Sequence, residues 1–152
     1  MGMRRRVGIV LGLGTLAGAI LLGALSAALA APNQISVGGV WVCDITQGAS
    51  GFTADQRVVQ IQQRITNVLS TPSFQHNTTV FVRVRPAGTD ALITVGDHQT
   101  TILVFTVTPA DAAGTSLTAV EVARQWAPRL AQGLGKAMPS SPWYLPGHVY
   151  LY

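Results

Sequence analysis

The sequence predicts a small α+β domain, a two-layer sandwich in which an antiparallel sheet of about four strands carries two helices on one face. Three patterns predict this class. Residues 100–108 are apolar and rich in β-branched side chains, and residues 80–85 alternate between apolar and other positions. Two capping boxes also each precede an apolar stripe at helical spacing. The predicted element order is β-α-β-β-β-α.

The centre of the predicted sheet is a β-hairpin within residues 92–112. Its turn is expected at Gly96 and Asp97, since glycine tolerates positive φ and aspartate bonds to its own backbone. Pro109 has no amide hydrogen for a strand ladder and should end the second arm. Both faces of that arm are apolar, which predicts a central strand covered by helices.

The first strand and the first helix precede this hairpin. Residues 40–45 are predicted to be the first strand. Thr53 and Gln56 have the spacing of a capping box, and the helix that they open should end near Ser70. Residues 80–85 should form the next strand. One face of this strand should be more exposed to solvent than the other, and the strand should lie near the sheet edge.

The last helix is predicted to open at a second capping box, formed by Thr118 and Glu121. Pro128 lies inside this segment and should kink the helix, because proline removes one hydrogen bond and clashes with the preceding turn. Gly133 and Gly135 are expected to end it.

Residues 1–31 have the three-part layout of a secretory signal peptide. Arginines at positions 4–6 precede an apolar run over residues 7–29, and Ala-Leu-Ala at 28–30 fits a cleavage site. An uncleaved N-terminal membrane anchor is the alternative, since the apolar run exceeds the roughly 20 residues that span a bilayer. Either alternative predicts a periplasmic or secreted location for the remainder of the chain.

The rest of the chain divides by composition into three parts. We expect a linker at residues 32–39, the α+β domain at 40–137 and a tail at 138–152. The tail contains three prolines and is rich in aromatic residues, so it should either fold back over the domain or dock on a partner or membrane interface. Its candidate partner contacts are Trp143, Tyr144, Tyr150 and Tyr152.

The charge of the chain argues against binding to nucleic acid. Of ten basic residues, three are the leader arginines, which leaves seven basic residues against six acidic ones and a net charge of +1. These seven are scattered, whereas phosphate binding needs clustered basic side chains. We therefore expect no nucleic-acid partner.

The motifs of common enzymes and metal sites are missing from the sequence. It contains no Gly-x-Ser-x-Gly elbow, phosphate loop or His-Glu-x-x-His, and none of its three histidines has metal-ligand spacing. We expect no enzyme, no metal and no cofactor. Cys43 should be buried, with an intermolecular disulfide as the alternative, and Trp41 and Trp126 should lie in the core.

Four short motifs occur in an order typical of one protein family. Residues 51–58, Gly-Phe-Thr-Ala-Asp-Gln-Arg-Val, look like the helix opening Gly-Phe-Ser-Ala-Glu-Glu-Arg-Ala, and residues 95–97, 106–112 and 121–127 follow. The set, within about residues 40–137, resembles the extracytoplasmic domain that precedes the membrane part of some bacterial, notably cyanobacterial, mechanosensitive channels of the small-conductance type.

The resemblance implies a periplasmic accessory module without catalytic residues. Because no transmembrane pore follows in this sequence, we expect a channel accessory and not a channel. Two departures from the family pattern are Val58, in place of a small residue, and Pro128 in the last helix.

Three functions remain open at this point, of which a small envelope hydrolase is the least favoured, because the sequence shows no recognisable nucleophile–base pair. The other two are binding functions. The first is a non-enzymatic envelope domain that binds another envelope or membrane protein, or itself. The second is a module that binds a small ligand or a cell-wall component through Arg57, Asp97 and Asp111, which only the resemblance and their expected positions near the sheet ends single out. Each residue also has a simpler role. Arg57 would be a surface arginine, Asp97 a solvated turn residue, and Asp111 an aspartate that orders the strand-to-helix turn.

Overall fold

The structure, a computed structural model, describes residues 33–75, 79–138 and 149–151. The predicted α+β class is confirmed, and so is the antiparallel pairing of the strands around the hairpin. The elements in chain order are β1 (Gln34–Val37), β2 (Val40–Asp44), α1 (Ala54–Ser70), α2 (Pro72–Gln75), β3 (Val80–Ala87), β4 (Asp90–Gly96), β5 (Thr101–Val107), α3 (Ala119–Ala137) and β6 (Val149–Leu151).

The strands form two sheets, and the strand predicted at residues 40–45 lies outside the sheet that contains the main hairpin. The first sheet is a two-stranded antiparallel hairpin of β1 and β2. Its turn contains Gly38 and Gly39, whose φ angles of 53° and 75° favour glycine. The linker expected at residues 32–39 is therefore wrong, because β1 occupies half of it and the turn to β2 follows directly. Ile35 and Val37 are buried in the core, but a strand of four residues is too short to show a clear period in the sequence.

The second sheet has the strand order β5-β4-β3-β6. β3, β4 and β5 form an antiparallel meander, and β6 pairs in parallel with β3. The predicted hairpin is present as β4 and β5, with Asp97 to Thr100 closing its turn. The second arm, β5, lies at the sheet edge and not at the centre as predicted; α1 lies along it, and that cover explains its apolar character.

The core lies between α3 and both sheets. Phe105 on β5 meets Trp126 on α3 edge to face, with ring centroids 5.8 Å apart, an arrangement that aromatic pairs favour. Ile93, Leu130 and Leu134 are fully buried in the same core. The buried face of α3 therefore follows the helical period that the sequence shows.

The two long helices, α1 and α3, begin where the capping boxes predict. Thr53 and Thr118 are the N-cap residues, and each forms the reciprocal hydrogen bonds with the residue three positions later, Gln56 and Glu121. These bonds satisfy amide groups that the first helical turn leaves without a partner. The starts of both helices are thus fixed by local sequence.

The end of α3 differs from the prediction. The helix continues through Pro128 and past Gly133 to Ala137. Gly133 lies against β1, where an added Cβ would stand 2.6 Å from the carbonyl oxygen of Val37. This glycine therefore permits close helix-to-strand packing and does not stop the helix.

Trp41 is on the surface, contrary to the expected core position. Its side chain is 42% exposed, and the guanidinium of Arg129 stacks over its ring at 4.4 Å. The indole also donates a hydrogen bond to Asp44. Trp126 is buried as expected. The strand period places Trp41 on the outer face of β2, opposite buried Val42.

The leader and most of the tail lie outside the described residues. Three of the four tail aromatics proposed as partner contacts, Trp143, Tyr144 and Tyr152, belong to that part, whereas Tyr150 pairs with Phe81 through the β6 backbone. In the three described ranges, no helix has both the length and the apolar character needed to cross a membrane.

Candidate functional site

The most buried charged pair joins two of the three predicted binding residues. Arg57 on α1 and Asp111, in the loop after β5, form a two-pronged ion pair: Nη1 donates to Oδ1 at 2.8 Å and Nη2 donates to Oδ2 at 2.7 Å. The side chains are 8% and 2% exposed. Parallel hydrogen bonds of this kind give an arginine–carboxylate pair a fixed geometry.

Backbone and hydroxyl groups complete the bonding of both partners. Arg57 also donates to the carbonyl oxygens of Gln47 and Thr106, at 2.6 and 3.2 Å. Oδ2 of Asp111 accepts the amide and the hydroxyl of Thr108, at 2.8 and 3.0 Å. The pair thereby ties α1 to the loop before it and to the end of β5.

This network gives Arg57 and Asp111 a structural role. Their charges neutralise each other, and their hydrogen-bonding positions are directed at the protein, so neither presents a free group to a ligand. Asp111 accepts the Thr108 amide and so orders the strand-to-helix turn, which is the simpler role expected for it from the sequence. Arg57 is buried and pairs with a carboxylate at the sheet edge, whereas its simpler role was that of a surface arginine.

Asp97 is separated from this pair by the length of β5. The seven residues of that strand span roughly 20 Å. Oδ1 of Asp97 accepts the amides of Thr100 and Gln99, at 2.6 and 2.7 Å. These bonds, the Thr100 amide first, hold the pKa of Asp97 below its usual value against the opposing effect of burial. The three predicted binding residues therefore do not share one site.

A groove lies beside the ion pair, between α1 and the turn before it. Its volume is about 100 Å³, and Ile61 and Thr106 are among its lining residues. One rim is a tight turn in which Ala49 and Phe52 exchange backbone hydrogen bonds, with Ser50 and Gly51 at φ angles of 54° and 82°. Phe52 stands on this rim with 44% of its surface exposed.

Arg64 is the second arginine of the groove. It follows Arg57 by seven positions, about two helical turns, which places both on one side of α1. Its described hydrogen bond, to the carbonyl oxygen of Val104, is 3.5 Å long, longer than the usual 2.7–3.2 Å. Arg64 is not among the predicted binding residues; its seven-residue spacing from Arg57 is the signal that could have placed it here.

A second depression, of about 480 Å³, lies at the same end of the sheet, where the β3–β4 turn meets the residues that follow β5. Gly88 and Thr89 of the β3–β4 turn form one side, and Pro109, Leu117 and Val120 near the start of α3 contribute to the other. Its lining is mostly apolar. None of the predicted binding residues lines it, although its volume is within the range of small-ligand pockets.

The remaining candidate chemistry does not form a centre in the described part of the chain. Cys43 is buried, and burial raises the pKa of its thiol well above the usual value. Across the described ranges, no three His, Cys, Asp or Glu side chains gather where they could hold a metal ion.

Comparison with known proteins gives one match. The sequence model of a family described as a domain of unknown function, DUF8459, matches residues 34–137. The match begins at β1 and ends with α3, so it covers both the hairpin and the helix that packs on it. No curated protein and no solved structure matches the chain significantly.

Proposed function

We propose that this chain, which belongs to the DUF8459 family, is a non-enzymatic envelope domain that recognises a protein partner. The observation that carries this proposal is the groove beside α1. It combines an exposed aromatic rim, Phe52, with the guanidinium of Arg64, and aromatic and arginine side chains are those most enriched at protein interfaces. The rim is fixed by a closed turn, which lowers the entropy lost on binding.

Several features support a binding role over catalysis. Arg57, Asp97 and Asp111 direct their polar atoms at the protein's own backbone or at each other. The thiol of Cys43 is buried and its pKa is raised, which disfavours the thiolate that a nucleophile needs. Because these three charged groups are bonded within the protein, the contacts left for a partner are exposed or half-buried side chains such as Phe52 and Arg64.

The location and the partner class come from the sequence. The signal-peptide pattern of residues 1–31 supports export to the periplasm or beyond, with an N-terminal anchor as the alternative. The resemblance to the extracytoplasmic domain of small-conductance-type mechanosensitive channels makes such a channel the partner that we expect. In that role the domain is accessory to a pore formed by another chain.

Site-directed photocrosslinking tests the proposal. The photoreactive residue p-benzoylphenylalanine replaces Phe52 in the full chain, expressed with its leader in the source bacterium. The matched control carries it at Gln62, which is exposed on α1 about 200° around the helix from Arg64. We expect light-dependent capture of one membrane protein, a channel of this type, from position 52 and not from position 62.

Three other outcomes would contradict the proposal. Equal yields from both positions would mean that the groove is not the contact surface. A crosslinked pair of identical chains would show self-association in its place. Turnover of a cell-wall or small-molecule substrate by the purified domain would overturn the non-enzymatic assignment.

A second candidate function rests on the apolar depression near Leu117. Its volume of about 480 Å³ suits a small apolar ligand, and it supports the ligand-binding alternative with residues other than those predicted. Leu117→Gln should then weaken binding of a fluorescent apolar probe, 1-anilinonaphthalene-8-sulfonate, to the native domain by tenfold or more. Unchanged probe binding would remove this candidate.

A further inference from the structure

The groove beside α1 holds a positive charge without a carboxylate to balance it. Within the part of the chain that the structure describes, Arg57 and Asp111 form an ion pair and Arg64 forms none. Arg64 is half-buried, and a guanidinium has five N–H donors. A single long hydrogen bond to Val104 leaves most of these donors without a protein acceptor.

The other polar side chains of the groove are neutral. Ser50, Gln60 and Thr106 line it beside Arg64, and each has a hydroxyl or an amide that can donate a hydrogen bond. No Asp or Glu is among the described residues that line the groove, and the neighbouring carboxylate of Asp111 is already held by Arg57 and Thr108. The groove therefore combines one cation that lacks a counter-ion with neutral groups that are able to donate, which suits an anion.

Size and shape select the kind of anion. Pockets for drug-sized ligands measure about 300–1,000 Å³, so a groove of about 100 Å³ admits a group of only a few atoms. The planar fork of a guanidinium matches a carboxylate in two parallel hydrogen bonds. Phe52, exposed on the rim, would then meet an apolar side chain next to that carboxylate.

We infer that this groove binds a carboxylate of the partner protein, either an acidic side chain or the chain terminus, lying next to an apolar residue. The inference rests on the proposed function and names the chemistry that the partner must present. Arg64 holds the carboxylate, Gln60 and Ser50 add neutral donors, and Phe52 contacts the adjoining apolar side chain.

A matched pair of small probes tests the chemistry directly. N-acetylphenylalanine carries a free carboxylate beside an aromatic ring, and N-acetylphenylalaninamide differs only in lacking the charge. Each is titrated into the ¹⁵N-labelled protein and followed by ¹H–¹⁵N NMR. We expect saturable shifts at Gly51, Phe52 and the Arg64 side chain, with the acid bound at least tenfold more tightly than the amide.

Two variants show whether Arg64 is the cause. Arg64→Gln should abolish the preference for the acid while the remaining amide resonances keep their native dispersion. Arg85→Gln removes the same charge from an exposed position on β3 and should retain the preference. Equal binding of acid and amide, or a preference that survives Arg64→Gln, would overturn the inference; so would shifts centred on β3.

Photocrosslinking from position 52 separates this inference from the proposed function. In the Arg64→Gln background we expect partner capture to fall at least fivefold. Undiminished capture would refute the carboxylate inference and leave the proposed function intact. Tight binding of the acid without any captured partner would refute the proposed function, and with it the assignment of the carboxylate to a protein.

Discussion

Removing the carboxylate of Asp111 should be among the most damaging single substitutions in this domain. Asp111→Ala leaves the guanidinium of Arg57, 8% exposed, without its counter-ion. Breaking a buried ion pair on one side typically costs about 3–5 kcal/mol. The Thr108 amide also loses its acceptor, which adds about 1 kcal/mol. Against a typical total of about 5–15 kcal/mol, the variant should lose about a quarter or more of its stability.

Urea unfolding followed by far-ultraviolet circular dichroism measures this loss. Asp111→Ala should lower the free energy of unfolding by about 4–6 kcal/mol, with an m-value close to that of the native sequence. The melting temperature should fall by at least about 10 °C. Arg85→Met is the control: it removes an arginine from an exposed position, and its effect should stay within about 0.5 kcal/mol.

A double-mutant cycle separates the ion pair from simple loss of packing. Replacing both partners with apolar residues, Arg57→Met with Asp111→Leu, removes both buried charges together, and such replacements are often nearly neutral. The double variant should therefore lose at least about 2 kcal/mol less than the sum of the two single variants. Additive losses, or a cost below about 1 kcal/mol for Asp111→Ala, would refute the role assigned to the pair.

Three further predictions concern the rest of the domain. Gly133→Ala should destabilise it by about 1–3 kcal/mol in the same urea assay, because the new Cβ meets the Val37 carbonyl oxygen; a gain in stability, as in an ordinary helix, would contradict the close packing, and Gln132→Ala is the exposed control. Asp97 has a lowered pKa in the folded state. Its contribution to the free energy of unfolding is therefore complete above the unfolded pKa of about 3.9 and is lost as pH falls through the folded pKa. Asp97→Ala should therefore melt at a lower temperature than the native sequence, by a constant amount between about pH 5 and 8. The difference should shrink in stronger acid; a difference that grows on acidification would contradict the lowered pKa. Cys43 should react with Ellman's reagent only after denaturant unfolds the protein, since it is buried; prompt reaction of the native protein would show that β2 opens readily.

Local patterns in the sequence determined the helix starts and the main hairpin. Thr53 and Thr118 cap their helices through residues three positions away, and the turn at Asp97 closes over four residues. Interactions of this range depend on a few neighbouring side chains, so the sequence displays them directly. The apolar stripe of α3 likewise predicted which face, including Trp126 and Leu130, is buried.

Only the tertiary structure decided how these elements meet. The segment expected to be a linker forms β1 because it pairs with β2. Gly133 lies inside α3 and packs against Val37. β5 lies at the sheet edge, where α1 covers it. Arg57 and Asp111 are 54 positions apart in the chain, and no local pattern records that they meet. The physical reason is that hydrogen bonds and ion pairs between distant segments depend on the packing of whole elements, which the periodicity of one segment does not encode.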